Sequence, residues 1–330
     1  MDTLCTYFDR AYLPRGLALH ESLLRHWRDF ELFVLCLDAE TERVLTRLDL
    51  PRVRLVPLAE LERFDPALAA TRDARSRIGY YFTCTPCFTL YVLGLTRTRR
   101  VYYVDADLYF FSPPAPLLDE HDRGSVYVHE HRPDRPGYQP QYGRFNVGLV
   151  GFQRDRQGRE CLELWRSRCL ESCEEGFHAG GFGDQRYLDE WPTRFDRVVV
   201  ARHRGVGVAP WNLADHQVSL SADGSQPLVD GVPVIFFHFS GLEVVIPGLV
   251  RAGWFDTLSG AARSVLYRPY VRELAGKARL LRRLGERRTP PLGGMRKASA
   301  ARPSLRRFLS IVKHGLLSRS LLLSVGRLVL

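Results

Sequence analysis

The stretch VYYVDADLYFF, residues 101–111, decides how this chain is read. Four apolar or aromatic residues lead in and four lead out, with Asp105 and Asp107 between them. The lead-in predicts a buried strand. Open α/β sheets bind ligands beyond the carboxyl ends of their strands, and there this chain places two anions. Two ionised carboxylates so close repel each other unless a cation neutralises them. Oxygen donors favour a hard divalent ion such as Mg²⁺ or Mn²⁺. On these residues alone the pair reads equally as a solvated turn with two surface aspartates.

The flanking sequence gives the frame. TLCTYF (3–8), FELFVLCLD (30–38), VRLVPL (53–58) and RRVYYV (99–104) predict strands, the second with the near-continuous apolar run of a strand covered on both faces. Helices are expected after Pro14 and over AETERVLTRLDL (39–50), so strand and helix alternate. The expected class is α/β, a mixed and mostly parallel sheet flanked by helices. YYFTCTPCFTLYVLGL (80–95) predicts a buried helix after Pro86, GSVYVHEH and FNVGLVGF further strands, GRECLELWRSRCLESCEE a helix, and PVIFFHFSG a late strand ending in His238. GFHAGGFGDQRYLDEW reads as a Gly-rich loop opening a short helix whose first turn holds Asp184.

Charge is unevenly spread over the 330 residues, whose formal net charge is +10. Residues 263–330 carry 17 Lys+Arg against 2 Asp+Glu, which leaves 30 against 35 for residues 1–262. A basic tail on a mildly acidic body points to an anionic surface, such as a membrane face, and not to nucleic acid. In RRFLSIVKHGLLSRSLLL (306–323), Phe308, Ile311, Val312, Gly315 and Leu316 share one side of a helix and Arg306, Arg307, Lys313 and His314 the other, the pattern of an interfacial amphipathic helix, although Arg319 lands on the apolar side. A helix packed on the body with its basic face in solvent fits the same pattern. The seven cysteines have no regular spacing, and the start MDTLCTYFDR lacks a basic region followed by an apolar one. Reduced thiols and a cytoplasmic setting, peripheral on the inner membrane face, are the expectation. Cys84-x-x-Cys87 has no second such pair to complete a zinc site.

Four segments in order resemble the metal-dependent GT-A glycosyltransferases, in particular the retaining family 8 group that includes glycogenin and bacterial lipopolysaccharide galactosyltransferases. They are TYFDRAYLPRGLALHESL, RRVYYVDADLYFFSPP, FNVGLVGF followed by GFGDQRYL, and FFHFSG. The resemblance implies a GT-A domain over residues 1–255, with a basic helical extension over 256–330. It implies a hexosyltransferase-like enzyme that moves a sugar from a nucleotide-sugar, UDP-linked in such a family, to an acceptor hydroxyl on a glycan, lipid-linked or protein acceptor. It also implies retention of configuration. Mn²⁺ or Mg²⁺ would be held by Asp105, Asp107 and His238.

The same resemblance assigns donor contacts to Thr6, Phe8, Asp9, Arg77, Asp105, Ala106, Asn146 and Gly241. Asp184 would bind sugar hydroxyls and Gln185 would sit near the anomeric carbon, while Trp211 and Asn212 would face the acceptor. Plainer readings stand beside these. Asp9 and Asp184 suit helix caps, Asn146 a turn, Arg77 a solvated loop, Trp211 the core, and His238 a buried imidazole bonded to a carbonyl. His129 and His131 in HEH read as an exposed strand end. Two rival functions remain at this level: a non-catalytic nucleotide-sugar-binding or scaffold protein on the same fold, and a nucleotidyltransferase. TYFDRAYLPRG lacks the Gly-rich, Lys/Arg-bearing loop of the latter.

Overall fold

The structure, a computed structural model, describes residues 1–133, 142–174, 183–214, 216–246, 249–252, 258–286, 321–325 and 328–329. In chain order the first elements are β1 (Asp2–Phe8), α1 (Leu13–His26), β2 (Phe30–Cys36), α2 (Ala39–Leu48), β3 (Val53–Pro57), α3 (Leu58–Phe64), α4 (Pro66–Ala70), α5 (Arg77–Leu95), β4 (Arg100–Val104), β5 (Leu108–Phe110), α6 (Ala115–His121), β6 (Val126–Glu130), β7 (Phe145–Gln153) and β8 (Val198–Val200). The chain divides into two compact units. One comprises Met1–Asp9, Trp27–Ala106 and Pro113–Gly207; the other Arg10–His26, Asp107–Ser112 and Val208–Leu330.

The first unit is built on a seven-stranded sheet in the order β3-β2-β1-β4-β7-β6-β8. The pairs β3/β2, β2/β1, β1/β4 and β6/β8 are parallel, and β4/β7 and β7/β6 antiparallel, the mixed and mostly parallel sheet the alternation predicts. Register aligns the carboxyl ends: Phe8 lies opposite Cys36, and Cys5 opposite Tyr103. Asp9, Asp38 and Asp105 therefore follow three adjacent strands at one end of the sheet. Asp38 is accounted for locally, since its side chain accepts from the Thr41 amide and caps α2.

α5 starts nine residues before Pro86, where the sequence predicted a helix only after it. The Ser76 hydroxyl accepts from the Gly79 amide and sets the start. Pro86 removes one intrahelical donor. Burial carries the helix through this defect: Thr83, Cys84, Cys87, Phe88 and Val92 are shielded from water. By length and composition α5 could cross a membrane, but most of it lies inside this unit. The helix Arg156–Glu171 packs beside it, capped by Asp155 and burying Cys161, Leu162, Trp165 and Cys169.

In the second unit α1 packs on β5 and on the helix Arg268–Arg283. β5 pairs with β12 (Phe236–His238), and β9 (Val218–Leu220), β10 (Pro227–Val229) and β11 (Val232–Pro233) form a small antiparallel sheet. Phe237, Phe239, Tyr267 and Tyr270 are at the core, with Phe239 stacked on Tyr270 at 3.7 Å between ring centroids. Such contact adds about 0.5–1.5 kcal/mol beyond area burial. The helix Arg268–Arg283 lies within residues 256–330. The last described stretches, Leu321–Val325 and Leu328–Val329, are strands instead, the first antiparallel to Leu249–Ala252. Pairing with a strand distant in the chain outweighs local helical periodicity here. Phe308, Ile311, Val312, Gly315 and Leu316 lie outside the described residues.

Candidate active site

Asp105 directly follows β4, and its amide donates to the Gly148 carbonyl of β7 at 2.8 Å. Its Oδ1 accepts from the buried Tyr103 hydroxyl at 2.7 Å. Burial first, then the Asp105 charge, pushes that phenol well above its ordinary range, so it stays a donor.

Asp184 lies in the same unit and is 5% exposed. Burial pushes its carboxyl up to about 7, and the Asp105 charge adds to this against the pull of a Thr85 hydrogen bond. The capping alternative fails, because its side chain makes no cap bond to the 3-10 turn Gln185–Glu190 that follows. Gly183 fixes the approach. Its φ is +52°, and a Cβ there would meet the Phe82 ring at 2.7 Å. The Trp165 indole donates to the Asp184 carbonyl at 2.9 Å, holding the backbone from the opposite side.

Gln185 has an amide with a fixed orientation. Its Oε1 accepts from Asn146 Nδ2 at 2.9 Å and from the Val147 amide at 3.2 Å, while its Nε2 donates to the Tyr142 carbonyl at 2.7 Å. Asn146 Oδ1 in turn accepts from the Gly148 amide at 2.9 Å. Asn146 is thus no turn residue; it ties Gln185 to β7. Behind it stands His131, 1% exposed, where the HEH pattern suggested an exposed strand end. His131 Nδ1 donates to the Gly143 carbonyl at 3.0 Å, which leaves Nε2 to accept from Asn146 Nδ2 at 3.2 Å. Burial follows from this bonding, since both ring nitrogens are satisfied without water.

In the second unit Asp107 precedes β5 and His238 ends β12. Antiparallel register sets Leu108 opposite His238. The Phe239 amide donates to the Asp107 carbonyl at 3.0 Å, and Asp107 Oδ1 lies 3.1 Å from His238 Nε2. Burial alone would raise the Asp107 carboxyl; His238 and then Arg15 outweigh it and hold Asp107 below the usual carboxylate range. Trp211 meets the His238 ring edge-on at 5.3 Å between centroids, and Asn212 Oδ1 accepts from the Ala209 amide. Arg15 is 1% exposed and donates to the Leu242 carbonyl at 2.6 Å. Gly241 takes φ +73°, the left-handed backbone that a side chain would strain.

Asp105 and Asp107 are separated in sequence only by the buried Ala106, and within the second unit Asp107 lies beside His238. Among the described residues Asp105, Asp107 and His238 are the one set of this kind that offers donors for a metal ion. Two hard carboxylates and an imidazole fit Mn²⁺ or Mg²⁺. Cys84 and Cys87 are buried free thiols and belong to no such group.

Thr6 and Phe8 are buried at the carboxyl end of β1, and Thr6 Oγ1 has no hydrogen-bond partner among the described residues. Arg77 opens α5, with its guanidinium 5.9 Å from the Tyr81 ring centroid. The Tyr81 hydroxyl feels both the Asp9 carboxylate and Arg77. Arg75 is structural: it donates to Thr83 and to the Cys169 and Leu170 carbonyls. Residues that sequence reasoning missed are His131, Tyr103 and Asp189. The Asp189 carboxylate receives the Arg144 and Phe145 amides and so fixes the start of β7.

No family model matches this chain. It is 35% identical over 250 residues to the uncharacterized protein YfnF of Bacillus subtilis (strain 168), covering 73% of this chain and 82% of that protein. It is 32% identical over 275 residues to the uncharacterized protein YfnD of the same organism, covering 82% and 87%. Among solved structures it is similar to the galactosyltransferase LgtC in complex with donor and acceptor sugar analogues, at 15% identity and a TM-score of 0.51, covering 83% of this chain and 95% of LgtC. That likeness is one of fold, and the fold is GT-A.

Proposed function

Because this chain belongs to one family with YfnF and YfnD of Bacillus subtilis and has a GT-A glycosyltransferase fold, we propose that it transfers a sugar from a nucleotide-sugar donor to an acceptor hydroxyl. The observation that carries this reading is the Asp107–His238 pair, 3.1 Å apart, with Asp107 two residues after Asp105 at the end of β4. These residues would hold Mn²⁺ or Mg²⁺, and such an ion supplies Lewis-acid stabilisation of the charge that builds on a leaving diphosphate.

The protein's own groups do the positioning. Thr6, Phe8, Asp9 and Arg77 line the carboxyl end of β1 and the start of α5, where a base, ribose and phosphate would lie. Thr6 Oγ1 offers a hydrogen bond that the described protein leaves unused. Asp184, poised near neutrality by burial, can donate to or accept from a sugar hydroxyl. Gln185 is held with its amide plane fixed, so it can meet the anomeric centre without first being ordered. Gly241 leaves its backbone open to a phosphate. Trp211 and Asn212 stand on the acceptor side. We take the donor to be UDP-linked and the acceptor a glycan, lipid-linked or protein hydroxyl at the cytoplasmic side of a membrane. Transfer with retention, by same-face displacement, agrees with a site whose reacting face has an amide in place of a free carboxylate nucleophile.

The test is a thermal-shift screen of nucleotide-sugars with and without Mn²⁺, followed by donor hydrolysis on the best binder. A ligand that binds only the folded state raises the melting temperature. A metal-dependent shift with turnover, both lost in Asp105→Ala, is expected. A shift without turnover under any acceptor condition would instead make the protein a nucleotide-sugar-binding scaffold, and release of pyrophosphate would make it a nucleotidyltransferase.

A further inference from the structure

At the end of the first unit's sheet away from Asp105, strand ends surround a cavity of about 290 Å³. Asp105 follows the carboxyl end of β4, whereas Arg97 and Arg99 precede its start. Five residues of strand put roughly 16 Å between the two ends. Arg97, Arg99, Arg154 and Arg197 line the cavity, with Asp155 as the one acid.

The frame is rigid, because backbone bonds cross-link the strand ends. The Arg154 amide donates to the Arg99 carbonyl, the Gln153 amide to Ser125, and the Ser125 amide to Arg197, each at 2.7 Å. The lone acid is already engaged. Asp155 Oδ1 accepts from the Gly158 amide at 2.8 Å and Oδ2 from the Ser125 hydroxyl at 2.6 Å. The cations are only partly engaged. Arg154 places Nε and Nη2 on the carbonyls of Thr98, Leu93 and Thr96, which fixes the side chain and leaves Nη1. Arg197 uses Nε on Ser125. Arg99 has one exposed pairing, 3.4 Å from Asp122. Arg97 makes no ion pair or hydrogen bond among the described residues.

General basicity does not explain the cluster. Residues 1–262 hold 30 Lys+Arg against 35 Asp+Glu, so four arginines around one acid run against the charge of the body that holds them. Arginine pairs bidentately with tetrahedral oxyanions, and here four solvent-accessible guanidiniums line one opening whose lone carboxylate is already bonded within the protein. The volume exceeds that of a bare phosphate and admits a small organic group as well.

We infer that this cavity binds a phosphoryl group carried on a small soluble molecule, at a site separate from the one proposed for transfer. Arg97 and Arg99 are its open face and Arg154 and Arg197 its fixed wall.

The experiment compares the wild-type chain, Arg97→Gln/Arg99→Gln and Asp105→Ala in thermal melts against inorganic phosphate, with chloride at matched ionic strength as reference. Gln keeps the side-chain length, and neither arginine holds a buried bond, so the double variant should melt like wild type in chloride. Phosphate should raise the wild-type melting temperature saturably. Its apparent Kd should weaken at least tenfold in the double variant and stay unchanged in Asp105→Ala. An equal phosphate response in the double variant overturns the site, as does equal stabilisation by chloride. A response lost only in Asp105→Ala would place the phosphate at the proposed transfer site and overturn it too. Sedimentation with phosphatidic acid vesicles separates the sources. If the double variant loses vesicle binding while free phosphate has no effect on wild type, the group is lipid-borne and the soluble ligand is wrong.

Discussion

Asp107 Oδ1 and His238 Nε2 lie 3.1 Å apart although the residues are 131 positions apart in sequence, because β5 and β12 pair with Leu108 opposite His238. The register of a three-residue strand pair thus sets the donor geometry. His238→Ala removes a proposed ligand but leaves the backbone ladder intact. It should weaken Mn²⁺ binding by more than about 100-fold, beyond what loss of an outer-shell partner costs. Titration of Mn²⁺ by calorimetry checks this, and near-wild-type affinity in the variant would remove His238 from the metal site.

Gln185 depends on Asn146 for its orientation, and Asn146 depends on His131. Asn146→Ala leaves Gln185 Oε1 with only the Val147 amide. If Gln185 meets the reacting face as proposed, its misplacement costs about 100-fold in rate even without lost contacts. Turnover of the donor should fall by about that factor in Asn146→Ala, with KM for the donor little changed. His131→Leu should fall less, since the bond between Asn146 and Gln185 survives it. Equal kcat values for wild type and Asn146→Ala would show that Gln185 needs no such support.

The parts that were legible in the sequence are those set by local patterning. Apolar runs gave β1, β2 and β4, and their alternation with helices gave the parallel sheet. Asp105 and Asp107 stood out because carboxylates interrupt an apolar run. What was not legible depends on partners far away in the chain. Arg15 is buried because the Leu242 carbonyl receives it, 227 residues on. His131 is buried because Asn146 and Gly143 satisfy it, and no pattern in HEH announces either. The strand at Leu321–Val325 exists through its pairing with Leu249–Ala252, which helical periodicity cannot foresee. α5 runs through Pro86 because tertiary burial outweighs one missing donor.

The Asp65 carboxylate, 2% exposed, receives Arg166 Nε at 2.6 Å and Nη2 at 2.5 Å, and also caps α4 through the Leu68 amide. It joins α3 and α4 to the helix Arg156–Glu171. Arg166→Met leaves that buried charge without its cation. Removing one partner of a buried pair costs about 3–5 kcal/mol. Asp65→Asn/Arg166→Met should recover part of that loss. Urea denaturation of both variants tests the pair, and a loss below about 1 kcal/mol in Arg166→Met would mean that water already screens it.

Two buried groups give the fold opposite pH dependences, which mask each other. His121 is buried beside Tyr102, and burial first, then Arg100, pushes its imidazole down to about 3. The unfolded chain therefore binds more protons than the folded one between about pH 3 and the ordinary histidine value near 6.5, and stability falls on acidification through that window. Asp184 works the other way. With a folded pKa of about 7 and an ordinary unfolded one near 3.8, the folded state binds the extra proton, and stability falls as pH rises between those values. Each slope is about 1.4 kcal/mol per pH unit at most. From about pH 4 to 6.5 they cancel, so metal-free wild type should show a flat stability there from these two groups. Asp184→Asn should expose the histidine slope, losing stability on acidification while exceeding wild type above pH 7. His121→Phe should expose the opposite slope, gaining stability on acidification whatever constant offset the lost Tyr102 bond adds. Urea midpoints at half-unit steps from pH 4.5 to 8 measure both. Parallel profiles for the two variants would show that neither group is held as far from its ordinary pKa as its burial requires.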